Sequence, residues 1–199
     1  SNNGHFVSLV YNEMLKDGLC IIPFLVENFV CWGYPDNIKE YEFWLEYFEA
    51  IKKPEQIRKT YNAINLIPMS GLGKRFVDVG YKVPKPLIKM LGVPMAAKCA
   101  LSLPKAEIYI FVCLKDHIEN YNLHSILKKN VPNSDFVIID RPTDGMARTC
   151  LMAENKLIPD KPILVSSCDY SFLYDDKKFD CLLSEQEPDV VIWTFKNYP

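Results

Sequence analysis

The sequence predicts an α/β fold: a Rossmann-like, mostly parallel sheet with helices on both faces. Two observations predict it. Short, nearly continuous apolar runs recur from residue 64 onward, such as Ile108-Tyr109-Ile110-Phe111-Val112, and such runs suit strands buried on both faces of a sheet. Between them lie segments of helical periodicity, and repeated βα units imply parallel strands joined by right-handed crossovers.

Taken in chain order, the strand candidates are residues 64–69, 107–113, 135–140, 162–166 and 189–195. The helix candidates between them are 94–102, 116–128 and 144–157, with Pro94 suited to the first turn of its helix. Upstream the pattern differs. Residues 6–16 are helical in pattern, with Phe6, Leu9, Val10 and Met14 on one face, and 20–26 and 29–32 are strand-like. Residues 35–52 read as an aromatic amphipathic helix with Tyr41, Trp44, Leu45 and Phe48 on its apolar side. The polar stretch 53–59 contains Pro54 and reads as a linker. The chain is therefore expected to divide into residues 1–53, a linker at 54–61, and 62–199.

The chemistry concentrates where the first strand of the larger part ends. Ile64, Leu66, Ile67 and Met69 lead into the small-residue turn Ser70-Gly71-Leu72-Gly73, followed at once by Lys74 and Arg75. Ten residues after Arg75 comes Lys85, held between Pro84 and Pro86. Gly71 and Gly73 lack a Cβ, so they permit positive φ and let backbone N–H groups converge on phosphate oxygens. Arg75 supplies a planar fork of donors and Lys85 a point charge. The bland alternative is a strand-to-loop turn with solvated charges beyond it. The spacing excludes two neighbouring phosphate motifs. No Gly-Lys-Ser/Thr follows a four-residue spacer, and Phe76 stands where a dinucleotide fingerprint needs its third glycine.

Composition narrows the partners. At 199 residues the chain can form a real core, and 49% hydrophobic content argues against disorder. A formal charge of −2 with no basic block disfavours nucleic acid as the main partner. No apolar run reaches the length of a membrane span, so no membrane insertion is expected, and the first residues lack signal-peptide character. The seven cysteines (20, 31, 99, 113, 150, 168, 181) have no metal-ligand spacing and read as reduced, buried thiols of a cytoplasmic protein. His5, His117 and His124 show no metal or triad spacing and are expected at the surface.

Two further places stand out. Asp169, in Ser166-Ser167-Cys168-Asp169-Tyr170, follows an apolar strand, where a carboxylate can hold Mg²⁺ against phosphates or simply serve as a turn or cap. Asp175, Asp176 and Asp180 read as surface or capping carboxylates. Gly145, in Asp144-Gly145-Met146-Ala147, opens a helix and allows close approach of a ligand; Thr143 or Asp144 as an ordinary N-cap is the alternative.

Gly71-Leu72-Gly73-Lys74-Arg75-Phe76, then Gly80-Tyr81, then Pro84-Lys85-Pro86-Leu87, resembles the signature of the sugar-1-phosphate nucleotidyltransferases, in the branch found in capsule and surface-polysaccharide synthesis. The resemblance implies the reaction of an NTP with a sugar-1-phosphate to give an NDP-sugar and pyrophosphate. It implies Arg75 and Lys85 as catalytic residues, Ser70, Gly71, Gly73 and Gly145 against the nucleotide, and Asp169 as the Mg²⁺ ligand. A cytidylyltransferase acting on a phosphorylated alcohol such as choline phosphate shares the same head motif. A non-catalytic nucleotide- or sugar-binding module is the reading from another class. The N-terminal block, Cys31-Trp32-Gly33-Tyr34-Pro35 with the helix ending Trp44-Leu45-Glu46-Tyr47-Phe48, resembles the end of such a domain, although it precedes the start. The fold is thus expected to be incomplete, a tail and a head of two copies, or permuted; the fragment reading is favoured. Trp32 stands where many relatives carry a second metal-binding aspartate. Base, sugar and oligomeric state are left open, a homo-oligomer included.

Overall fold

In a computed structural model of the chain, residues 13–20, 33–52 and 58–194 are described. The chain divides into two compact units, residues 1–46 with 197–199, and residues 47–196. In the first, residues 13–16 are helical, the described part of the helix expected at 6–16. Helix α1 (Pro35–Lys52) starts there with a proline at its first position, where no N–H is needed. Tyr41, Trp44, Leu45 and Phe48 on α1 are each more than a third exposed. Trp32 and the strands expected at 20–26 and 29–32 lie outside the described residues, apart from Cys20.

The second unit is built on a four-stranded parallel sheet. Its strands are β1 (Tyr61–Pro68), β4 (Ala106–Leu114), β5 (Ser134–Ile139) and β6 (Ile163–Val165), ordered β5-β4-β1-β6. Register is continuous through the middle: Leu66 pairs with Ile110 on one side and with Val165 on the other. Counted along the chain, the four strands run 3-2-1-4 across the sheet. The order reverses between β1 and β6, and that reversal opens a crevice at their carboxyl ends. A two-residue hairpin, β2 (Lys89–Met90) and β3 (Val93–Pro94), lies outside the sheet.

β1 is buried on both faces because it is central, and its alternation feeds two cores. Ile67 and Met69 point to a face with Phe111, Cys113 and Phe136, covered by α3 (Met95–Ser102) through Ala96, Ala97 and Ala100. Leu123 and Leu127 of α5 (Leu123–Asn130) complete that layer. Ile64 and Leu66 point to the other face with Ile110, Val112 and Ile139, under Cys150, Ala153 and Leu157. Cys150 belongs to α6 (Met146–Leu151). Helical structure thus covers both faces, and the α/β expectation holds.

Several element expectations need correction. The helix expected at 116–128 is two helices, α4 (Lys115–Tyr121) and α5, because Asn122 between them sits at φ 52°, a left-handed conformation that ends a helix. The helix expected at 144–157 contracts to α6 and a 3-10 turn at Glu154–Lys156. No strand forms over residues 189–194; Trp193 there packs on Phe172 and Phe179, with ring centroids 4.8 and 4.9 Å away, instead of joining a ladder. His117 is buried, and burial holds its imidazole below the usual histidine value. Cys99, Cys113 and Cys168 are buried as expected, whereas Cys20 and Cys181 are exposed. The aspartates near the end of the chain do serve as caps and surface carboxylates. Asp175 accepts from the Lys177 and Lys178 backbone N–H groups at the start of α7 (Asp176–Gln186). Asp180 accepts from the Tyr61 hydroxyl at 2.8 Å and the Lys59 ammonium at 3.0 Å. Among the described residues no helix is long and apolar enough to cross a membrane.

Candidate functional site

A cleft of about 380 Å³ opens at the carboxyl end of β1. Its walls are the loop after β1, the Lys85 segment, the loop between β5 and α6, and the loop after β6. Lys74, Arg75 and Lys85 line it, and no carboxylate does among the described residues. Lys85 is paired with Asp169 at the cleft edge, so Lys74 and Arg75 supply the excess positive charge, which suits anions.

Ser70, Gly71 and Gly73 form its floor. The two glycines differ. Gly73 sits at φ 60°, and a Cβ there would lie 3.0 Å from Lys85 Cβ, so this position needs glycine for conformation and for space. Gly71 has no positive φ, and a Cβ on it would meet nothing within 4 Å. The positive φ expected at Gly71 is absent, because the left-handed step of the turn is taken at Gly73. Beyond it, α2 (Lys74–Asp78) carries Arg75, exposed and without an ion pair among the described residues.

Lys85 opens a single 3-10 turn, Lys85–Leu87, whose Pro86 and Leu87 are buried. That anchorage lays the lysine stem across Gly73 and brings its ammonium to the Asp169 carboxylate and to 5.7 Å from the centre of the Phe76 ring. Asp169 also accepts from the Ser167 hydroxyl. Partial burial pushes the Asp169 carboxyl up, but the hydrogen bonds from Lys85 and Ser167 outweigh it and hold it below the ordinary carboxylate value. The loop that presents Asp169 is pinned from beneath. Cys168 is buried in the sheet core, and the Cys99 thiol of α3 donates to the Ser167 carbonyl at 2.7 Å. Burial pushes the Cys168 thiol up to about 12, so it is a packing group and not a nucleophile.

On the other wall, Gly145 precedes α6 with φ 117° and no side-chain cap, so neither Thr143 nor Asp144 fills the N-cap role. Thr143 instead faces inward: its hydroxyl lies 2.6 Å from that of Thr149, which lies 3.0 Å from that of Ser70. Ser70 and Thr149 are both buried.

Six of the residues singled out in the sequence, Ser70, Gly71, Gly73, Arg75, Lys85 and Gly145, thus line one cleft. Asp169 joins them through Lys85. Sequence reading missed Thr149 and Ser167 as site residues. Thr149 left no local signal, since its partner Ser70 is 79 residues away. Ser167, two residues before Asp169, could have been flagged as a partner for its carboxylate.

Among the described residues no group of three or more histidine, cysteine or acidic side chains could hold a metal ion. Asp169 lies beside the cleft with one carboxylate oxygen on the Lys85 ammonium and the other on the Ser167 hydroxyl, and a lone carboxylate would need substrate phosphates and water to complete the shell of a Mg²⁺ ion.

No family model matches the chain, and no curated protein matches it in sequence. Solved structures similar to it include a nucleoside-diphosphate-sugar pyrophosphorylase from Vibrio cholerae RC9 (17% identity, TM-score 0.45, 58% of this chain and 52% of that one). An inositol-1-phosphate CTP transferase from T. maritima is also similar (18%, 0.46, 56% and 46%). So is a UDP-glucose pyrophosphorylase complexed with UDP-glucose (18%, 0.44, 64% and 55%). The chain spans about half the length of each of these structures.

Proposed function

We propose that the cleft binds a nucleoside triphosphate and that the protein of which it forms part is a nucleotidyltransferase, joining an NTP to a sugar-1-phosphate with release of pyrophosphate. The observation that supports this most is a cleft at the strand-order reversal lined by three cations, one of them paired with Asp169, with a glycine turn at its floor. The resemblance carried by the motif from Gly71 to Leu87 supports a nucleotide as the anion and capsule or surface-polysaccharide synthesis as the branch.

In this reading a phosphate oxygen of the sugar phosphate attacks the α-phosphorus in line, one P–O bond forms, and the bond to pyrophosphate breaks. The nucleophile is already anionic, so positioning and charge neutralisation supply the catalysis. Arg75 neutralises the triphosphate and the departing pyrophosphate. Lys85 leaves Asp169 for the α-phosphate or the sugar phosphate. Ser70, Gly71 and Gly73 lie along the nucleotide, and Gly145 lies near the base. Bound Mg²⁺ would neutralise charge on the phosphates, with Asp169 as its protein ligand.

Pyrophosphate release, measured with each NTP against a panel of sugar phosphates and choline phosphate, tests the proposal. Turnover with a sugar phosphate supports it, and turnover with choline phosphate alone turns it into the phospho-alcohol transferase. Tight nucleotide binding without turnover in the full-length protein turns it into a binding module. Arg75→Ala is expected to abolish turnover; unchanged activity would remove the phosphate role from Arg75.

A further inference from the structure

The three hydroxyls of Ser70, Thr149 and Thr143 form a continuous chain across the back of the cleft. Its contacts are Ser70 to Thr149 at 3.0 Å, Thr149 to Thr143 at 2.6 Å, and Thr143 and Thr149 to the Gly145 carbonyl at 3.0 and 3.2 Å. Each hydroxyl has one proton to give. The Gly145 carbonyl already accepts the Thr149 backbone N–H at 3.1 Å, so neither threonine hydroxyl has to donate to it, and the hydroxyl protons can run along the chain in either direction.

We infer that Thr149 is a positioning residue for ligand binding. It ties the loop after β1 to the loop after β5 and holds the Ser70 hydroxyl in place at the cleft. This rests on the nucleotidyltransferase reading for the ligand, although the clamp between the loops does not. Ser70 belongs to the loop after β1 and Gly145 to the loop after β5, and among the described residues no backbone hydrogen bond joins those two loops. Burial of both Ser70 and Thr149 keeps water from replacing the contact.

The test compares the full chain with Thr149→Val, which keeps the shape and removes the hydroxyl, and with Thr149→Ser, which restores it. Hydrogen exchange by mass spectrometry is read over residues 68–74 and 142–149 without ligand. Nucleotide affinity is read by calorimetry across ATP, CTP, GTP and UTP. Thr149→Val is expected to speed exchange in both segments and to weaken the preferred nucleotide about tenfold, with Thr149→Ser recovering both. Thr143→Val, at a half-buried position, gives a second break in the chain if Thr149→Val fails to fold, and is expected to speed exchange in the second segment. Unchanged exchange in the valine variants overturns the clamp. Faster exchange with unchanged affinity overturns the positioning role. If the unaltered protein binds none of the four nucleotides while the valine variants speed exchange, the clamp stands and the nucleotidyltransferase reading falls.

Discussion

The two walls of the cleft are held by different chemistry. On the β6 side, Lys85 and Asp169 form an ion pair whose side chains are 18% and 27% exposed. On the β5 side, Ser70 and Thr149 are buried and neutral. An ion pair that water still reaches can exchange partners, because arriving phosphates and water take up the charges that separate. A buried hydroxyl chain cannot, because each orphaned member costs about 1–3 kcal/mol. The ionic wall is therefore suited to groups that rearrange around arriving phosphates, and the hydroxyl wall to groups that stay in place. The sequence shows the first wall and hides the second.

The largest effect should come from breaking the ionic wall. Lys85→Ala is expected to reduce turnover by about 10²–10³-fold, the usual consequence of removing one group that stabilises developing charge. It should leave thermal stability nearly unchanged, because its partner Asp169 remains in contact with water. A large loss of stability instead would mean that the ion pair is structural, and the contrast between the walls would fail. Asp169→Asn should act less severely, on the order of tenfold to a hundredfold on turnover. It should also tighten nucleotide binding in chelator, because Lys85 no longer has a competing carboxylate. Weaker binding in chelator would instead place Asp169 as a support for Lys85 and not as its competitor.

The glycines give a sharper version of the contrast, because one is fixed by the protein and the other is open to the cleft. Gly73→Ala meets both a left-handed backbone and the Lys85 Cβ, and should cost about 1–2 kcal/mol in denaturant unfolding. Gly71→Ala meets neither and should leave stability within about 0.5 kcal/mol. Its effect should fall on nucleotide affinity, as a methyl group in the ligand's path. Equal stability losses at the two positions would show that Gly71 is held as tightly as Gly73.

Much of this was legible in the sequence, and the rest was hidden for physical reasons. The apolar runs located β1, β4, β5 and β6 to within a few residues; β1 and β4 are buried on both faces and need unbroken apolar sequence, while the edge strands β5 and β6 are partly exposed. The turn after β1 announced its cations and glycines locally. Residues 189–194 carry the same β-rich pattern as the true strands, yet aromatic packing around Trp193 takes the place of a ladder. Asn122 split a helix through a left-handed conformation that periodicity cannot register. Thr149 looked like any helix residue, because its role comes from a partner on another strand. Gly71 and Gly73 looked equivalent, and only the approach of Lys85 separates them.

The smallest effect concerns charge within the fold, and it separates the two ionisable groups by pH. His117 is buried, and burial lowers its pKa, with Asp116 opposing the shift. In the window between its folded value and the ordinary value of 6.5, the unfolded chain binds more protons than the folded one. Stability from this group is therefore complete above about 6.5 and is lost as pH falls toward the folded value. Asp169 is also depressed, but from a carboxylate's starting point, so its contribution is complete above about 3.9 and is lost only as pH falls through its folded value. Urea unfolding from pH 8 to pH 3 should show two declines. The upper one has a slope no greater than about 1.4 kcal/mol per pH unit and disappears in His117→Gln; the lower one is shallower and shrinks in Asp169→Asn. If His117→Gln left the upper decline intact, the buried imidazole would not be its source. Asp135 and Asp180 are also held below the ordinary value, by Lys156 and by Tyr61 with Lys59, so part of the lower decline remains in Asp169→Asn; if it did not shrink at all, the ion pair would contribute nothing to the fold, and the ionic wall would serve the ligand alone.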